Sequence, residues 1–265
     1  MFISQQYELL DFGDGRKLER FGDRILDRPS PAADTEQRQQ KQTVWSTASA
    51  VFERSSGSKE FAAPNSIRGQ WRTRHNLPAW TISPILSNDK IQFELKLTDF
   101  GHVGIFPEQA LHWDWIAQQI RASSGAHGDS IENDPPERFR VLNLFAYTGG
   151  STLAAAAAGA AVTHVDAAKN IVAWARRNAE LSALSAAPIR WIAEDAMKFV
   201  RREIKRGQQY DAIILDPPTY GHGAGGEVWK LDSHLPELLA MCKELIGPSP
   251  NFVILTCHSA PYDPR

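Results

Sequence analysis

The stretch VLNLFAYTGGSTLAAAAAGAAVTHVD, Val141 to Asp166, decides how the rest of the chain reads. It runs from an apolar strand through a turn with paired glycines into a helix made mostly of alanine. A second strand follows and ends on a carboxylate. Alanine lets a helix lie close against a sheet, and glycine takes positive φ, or admits a ligand near the backbone, without a Cβ clash. In an open α/β sheet, ligands bind beyond the carboxyl ends of the strands, near the point where the strand order reverses. The turn at Tyr147, Thr148, Gly149, Gly150 and Ser151 and the carboxylate of Asp166 are therefore candidate ligand contacts.

Outward from this unit, strand and helix patterns alternate. FRVLNLF, AVTHVD, IRWIAED, YDAIILD and NFVILTC read as strands, with helices expected over Ser151–Ala158, Lys169–Ser182, Met197–Lys205 and Ser233–Ile246. Apolar strands separated by helices predict a parallel α/β sheet covered on both faces. Upstream, short strand-like segments with Gly, Asn and Asp turns predict a small β-rich domain over residues 1–105, with the α/β domain over residues 106–265. TISPILSNDKIQFELKLTD reads as two strands around Ser87-Asn88-Asp89. PEQALHWDWIAQQIRAS reads as a helix with Pro107 in its first turn. Leu26–Gln42 and Ser123–Glu137, rich in polar residues and proline, read as a loop and a boundary.

Composition narrows the function classes. The 265 residues carry a net charge of −2, which disfavours wholesale coating of nucleic acid but leaves room for a local basic groove. Two cysteines, Cys242 and Cys257, fit a reducing compartment and cannot make a zinc site alone, so no metal is expected. No apolar run approaches the ~20 residues of a membrane helix, and MFISQQYELLDFGDG lacks the regions of a signal peptide. A cytoplasmic protein is expected, with its oligomeric state open.

The ligand is constrained by what is missing. Gly149 and Gly150 are adjacent, so the G-x-G-x-x-G dinucleotide fingerprint is absent, and no G-x-x-x-x-G-K-[ST] phosphate loop occurs. Asp166 can accept from ribose hydroxyls, Asp195 in AEDAMKF from an adenine amine, and Asp216 in LDPPTYG ends the next strand. That series along one sheet edge suits a cofactor with adenosine and no phosphate, S-adenosylmethionine.

At this point the chain resembles the class I S-adenosylmethionine-dependent methyltransferases, in the branch acting on cytosine carbon-5 or guanine N7 of bacterial large-subunit ribosomal RNA. FGHVGIFPEQ, NLFAYTGGSTLAAAAAGA, HVDAAKNIVAWARRNAEL, AEDAMKF and DPPTYG carry the resemblance, from about Leu97 to His258. It implies that Tyr147 to Ser151 wrap the methionine part, that Asp166 binds the ribose and that Ala167 lies against the adenine. Asp195 and the backbone N–H of Ala196 would meet the adenine, and Phe106, Glu108 and Gln109 would close over the cofactor. A plain helix start is the competing reading of FPEQ, with Glu108 favoured by the helix dipole. The resemblance also implies seven strands. The chain reaches only the fifth strand-like segment, so the last two are expected to be absent.

For the acceptor, Asp216 and the carbonyls of Pro217 and Pro218 can accept from a base edge, and Tyr220 can stack on an extruded base. Carbon-5 chemistry needs a cysteine nucleophile. The resemblance places Ser259 at that position and Cys257 beside it, where a buried, inert thiol is the alternative. His222 and His258 are weaker candidates as proton acceptors. IRGQWRTRHNLPAW, with Arg68, Trp71, Arg72, Arg74, His75 and Trp80, suits RNA, or else a small aromatic core with solvated arginines. The leading expectation is methyl transfer to a base of structured RNA such as ribosomal RNA. The alternatives are a protein or small-molecule acceptor, or an inactive RNA-binding module.

Overall fold

The computed structural model describes residues 5–54, 69–84, 91–126, 138–222, 226–248 and 252–257. It divides into two compact units, residues 1–110 and 111–265. In the first, β1 (Tyr7–Gly13) and β2 (Arg16–Phe21) are joined by Asp14-Gly15. Both turn residues have positive φ, 51° and 68°, the backbone that matches the twist of a two-residue hairpin. Then follow β3 (Arg24–Pro29), α1 (Gln42–Trp45), β4 (Ala50–Arg54), β5 (Gly69–Thr73), β6 (Trp80–Ile82) and β7 (Phe93–Leu95). The first five strands form one sheet in sequence order, with β3 and β4 parallel and the other pairs antiparallel. The polar stretch from Leu26 is not all loop. β3 runs through it to Pro29, because Leu26 is fully buried, paired with Glu19 of β2 and Ala50 of β4. β6 and β7 pair antiparallel, as the TISPILSND reading expects; residues 85–90 of that turn lie outside the described residues.

The second unit carries α2 (Ala110–Ala126), β8 (Arg140–Leu144), α3 (Gly150–Ala157), β9 (Ala161–Asp166), α4 (Lys169–Leu181) and β10 (Ile189–Ala193). It continues with α5 (Ala196–Lys205), β11 (Ala212–Leu215), β12 (Tyr220–His222), β13 (Val228–Lys230), α6 (Leu231–Leu245) and β14 (Phe252–Leu255). Its sheet has the order β10-β9-β8-β11-β14, every pair parallel. The chain moves outward from β8 to β10, then returns to the other side of β8. The strand order therefore reverses between β8 and β11. Successive residues of these strands enter opposite cores. Leu142, Leu144, Ile213 and Leu215 pack with Phe199 of α5 and Leu235 and Leu238 of α6. Val141, Val162, Ala212 and Ile214 pack with Ile116 and Ile120 of α2 and Ala155 of α3. Burial on both faces is why these strands read as unbroken apolar runs.

The first unit buries charge that strand periodicity alone does not reveal. Glu19 of β2 is fully buried. It accepts from Nε and Nη2 of Arg28, the latter at 3.2 Å, and from the Tyr7 hydroxyl at 2.9 Å, with Lys17 Nζ 3.2 Å away. Burial pushes the Glu19 carboxyl up, but the charge and hydrogen bonds of Arg28 outweigh it and hold the group below its ordinary value. Removing one charge of a buried pair strands the other, at a cost of about 3–5 kcal/mol. Glu19→Gln is therefore expected to destabilise the first unit by about that amount in urea unfolding at pH 7. A change under about 1 kcal/mol would show that the pair is not desolvated.

Candidate functional site

Leu144 pairs with Val165 on one side and with Leu215 on the other, so the turns after β8 and β11 leave the sheet side by side. The turn after β8 is strained. Phe145, Tyr147 and Gly149 take φ of 56°, 49° and 93°, and a left-handed non-glycine residue costs about 1–3 kcal/mol. Long-range bonds hold it. Asp166 Oδ2 accepts the Tyr147 N–H and Oδ1 accepts the Ala168 N–H, each at 3.0 Å. Asn178 of α4, fully buried, donates through Nδ2 to the Thr148 carbonyl at 3.0 Å. The Ala146 N–H reaches the Val165 carbonyl, also at 3.0 Å. Burial raises the Asp166 carboxyl from its ordinary value, and the two backbone N–H groups pull it back.

The two glycines serve different needs. Gly149 is required by its φ. Gly150 is required by contact, since a Cβ there would lie 2.5 Å from Cζ2 of Trp113 on α2. The Gly150 position is thus filled by an aromatic ring, and Ser151 sits half-buried in the first turn of α3. Beneath them runs a buried chain. Asn143 Nδ2 donates to Thr152 Oγ1 at 2.9 Å, and that hydroxyl lies 2.9 Å from His164 Nδ1. It ties α3 to β8 and β9, under the turn.

Asp195 caps α5, its Oδ1 accepting the Lys198 N–H at 3.0 Å, a contribution of about 1 kcal/mol. Ala196 is the first residue of that helix, where backbone N–H groups lack intrahelical partners. Ala167 is half-buried beside Asp166. Phe106, Glu108 and Gln109 belong to the first unit. Phe106 precedes a 3-10 turn, Pro107–Gln109, and meets His102 edge-on at 5.3 Å; Glu108 is exposed and Gln109 buried.

The loop after β11 is braced from behind. The Thr256 hydroxyl donates to Asp216 Oδ1, and its N–H to the Leu215 carbonyl at 2.9 Å. Trp229 Nε1 donates to the Pro218 carbonyl at 2.7 Å. That carbonyl, expected to face an acceptor, is engaged by the protein, whereas Tyr220 is half-buried at the start of β12. Cys257 packs partly buried against the α5–α6 core. The His222 side chain, His258, Ser259 and Arg68 lie outside the described residues. Asn178, Thr256, Trp229 and the Asn143–Thr152–His164 chain escaped the sequence reading, since their partners lie far along the chain. In the first unit, Trp80 is buried and donates to the Phe21 carbonyl, and Trp71 donates to the Thr98 carbonyl. Those tryptophans serve packing, while Arg72, Arg74 and His75 are exposed. Among the described residues, no three His, Cys, Asp or Glu side chains group as a metal site, and no helix is long and apolar enough to cross a membrane.

His164 supplies a test of the buried chain. Burial pushes its pKa down to about 3 from 6.5. Between those values the unfolded chain binds a proton that the folded chain does not, so stability falls as pH falls, by about 1.4 kcal/mol per unit. His164→Asn keeps an amide near the Thr152 hydroxyl and removes the titration. Urea unfolding between pH 6 and pH 4 is expected to lose that much slope relative to the wild type; an unchanged slope would contradict a neutral, buried His164.

Known proteins resemble this chain in sequence and fold. The family model described as S-adenosylmethionine-dependent methyltransferase matches residues 38–261. The crystal structure of the S-adenosylmethionine-dependent methyltransferase from Agrobacterium tumefaciens is 40% identical, with a TM-score of 0.82. That likeness covers 96% of this chain and 74% of the other. Ribosomal RNA large subunit methyltransferase K/L of a Shewanella species is 30% identical over 165 residues, 61% of this chain and 21% of the relative. The protein of the same name from Pseudoalteromonas translucida is 31% identical over 160 residues, 60% of this chain and 20% of the relative. The chain thus spans about a fifth of the length of these curated relatives. With the strand order, the pinned turn and the family match over most of its length, the chain belongs to the S-adenosylmethionine-dependent methyltransferases.

Proposed function

We propose that the chain binds S-adenosylmethionine at the carboxyl edge of its parallel sheet and places a base of structured RNA against it for methyl transfer. The observation that carries this reading is the pairing of Leu144 with Leu215, which sets the turn after β8 beside the loop after β11. The residues fit the cofactor. The segment FAYTGGST, Phe145 to Thr152, has no cation to meet a phosphate. Each Asp166 oxygen accepts one backbone N–H, and a carboxylate oxygen has a second lone pair for a ribose hydroxyl. Tyr147 to Ser151 would line the methionine part. Asp166 and Ala167 would hold the ribose and adenine, and Asp195 with Ala196 the adenine edge. To residues 1–105 we assign RNA recognition through Arg72, Arg74 and His75.

The bound cofactor supplies an electrophilic methyl group, so the protein's task is alignment of a nucleophile. Asp216 and the carbonyl of Pro217 would accept from the base edge. Pro218 would stiffen the loop, and Tyr220 would stack on the base, a contact worth about 1–3 kcal/mol. An RNA acceptor is supported by the names of the curated relatives, and with such an acceptor the protein would work in the cytoplasm. The partial burial of Cys257 among apolar side chains favours an inert thiol over a covalent nucleophile.

The direct test offers labelled S-adenosylmethionine with separate RNA, protein and small-molecule fractions. Label is expected in RNA alone; label only in protein or small molecules would overturn the acceptor, and none anywhere would point to an inactive RNA-binding module. Cys257→Ala is expected to keep full transfer. Asp166→Asn keeps one acceptor oxygen and loses the charge, and is expected to weaken cofactor binding ~10–100-fold, from a charged hydrogen bond of about 1.5–3 kcal/mol. Unchanged affinity in a folded variant would remove Asp166 from the pocket.

A further inference from the structure

Trp229 touches both sides of the proposed site. It is the middle residue of β13 in the β12–β13 hairpin, in which Gly221 pairs with Trp229 and Tyr220 with Lys230. Its indole is buried, and a buried indole N–H needs an acceptor. The acceptor is the Pro218 carbonyl at 2.7 Å, in the middle of the loop after β11. The Leu231 N–H adds a second tie to that loop, at the Thr219 carbonyl, 3.0 Å away. The same ring system lies against Phe145, centroids 4.9 Å apart and tilted by 56°. Phe145 is the first left-handed residue of the turn after β8, with φ 56°. That uncommon backbone fixes where its ring points. His234 of α6 stacks behind Trp229 at 5.6 Å and 29°, so the indole cannot swing away without disturbing the helix.

We infer that Trp229 is a positioning residue that couples the turn after β8 to the loop after β11. Through one rigid side chain, ordering of the cofactor turn is transmitted to the loop that receives the acceptor. A shift at Phe145 moves the indole, and the indole moves the Pro218 carbonyl. The hydrogen bond and the ring contact are separable, which makes the coupling testable. Trp229→Phe keeps a ring against Phe145 and removes the N–H donor. Trp229→Ala removes both.

The inference rests on the methyl-donor reading only for the ligand added, S-adenosylhomocysteine. Amide hydrogen exchange is followed over residues 145–151 and 216–222 in the wild-type chain and both variants, with and without that ligand. In the wild type the ligand is expected to slow exchange in both segments. In Trp229→Phe it is expected to slow residues 145–151 as before, with affinity within about two-fold of wild type, while residues 216–222 exchange at least five-fold faster and gain no protection. In Trp229→Ala both segments are expected to exchange faster, and affinity to fall about ten-fold. Ligand protection of residues 216–222 that survives in Trp229→Phe would overturn the coupling and leave the methyl-donor reading intact. So would wild-type exchange there without ligand. A wild-type chain that does not bind S-adenosylhomocysteine would overturn both. Trp229→Phe also predicts lower kcat for methyl transfer with an unchanged KM for the donor, when kcat is taken per site titrated with S-adenosylhomocysteine, so that unfolded protein is not counted.

Discussion

The carboxylate of Asp166 ties the turn after β8 and the entry to α4 to the end of β9. It accepts one N–H from each. The first of these belongs to Tyr147, a non-glycine residue with φ of 49°. Left-handed backbone at Phe145 and Tyr147 costs roughly 2–6 kcal/mol together, so the turn keeps its shape only while its surroundings determine it. Asp166 and Asn178 do so from two elements, and the Asn143–Thr152–His164 chain fixes the helix that follows. Strain held this way pre-forms a concave backbone before any ligand arrives.

Strand order supplies the second constraint. Because β8 has β9 on one side and β11 on the other, the pinned turn and the LDPPTYG loop emerge from paired residues. A methyl donor held by the first and a nucleophile held by the second would be adjacent without any large motion. Trp229, touching Phe145 and the Pro218 carbonyl, makes that adjacency rigid. The Thr256 hydroxyl secures the other end of the loop through Asp216. Alignment, which is most of what methyl transfer asks of a protein, is thus built from packing and hydrogen bonds rather than from charge.

Much of this was legible in the chain before any coordinates. The five parallel strands are short apolar runs that alternate with helical periods. The strands and the carboxylates at or just past their ends, Asp166, Asp195 and Asp216, could therefore be read locally, whereas their order in the sheet could not. What escaped was whatever depends on a distant partner. The missing side chain of Gly150 makes room for Trp113, far away in the sequence. Asn178 and Trp229 look like ordinary helix and hairpin residues until the fold brings them to Thr148 and Pro218. In the first unit, composition misled about β3 and left two readings of the tryptophans open. β3 passes through a stretch that its charge and proline marked as loop, because burial of Leu26 outweighs its neighbours. Trp71 and Trp80, interleaved with arginines like a stacking platform, have their indole N–H groups bonded to backbone carbonyls.

The central claim is that this turn is shaped for an adenosine cofactor without phosphate. Calorimetric titration of the chain with S-adenosylmethionine and, separately, with NAD tests it most directly. The account predicts one saturable site for S-adenosylmethionine and no heat of binding for NAD. Binding of NAD with none of S-adenosylmethionine would contradict it.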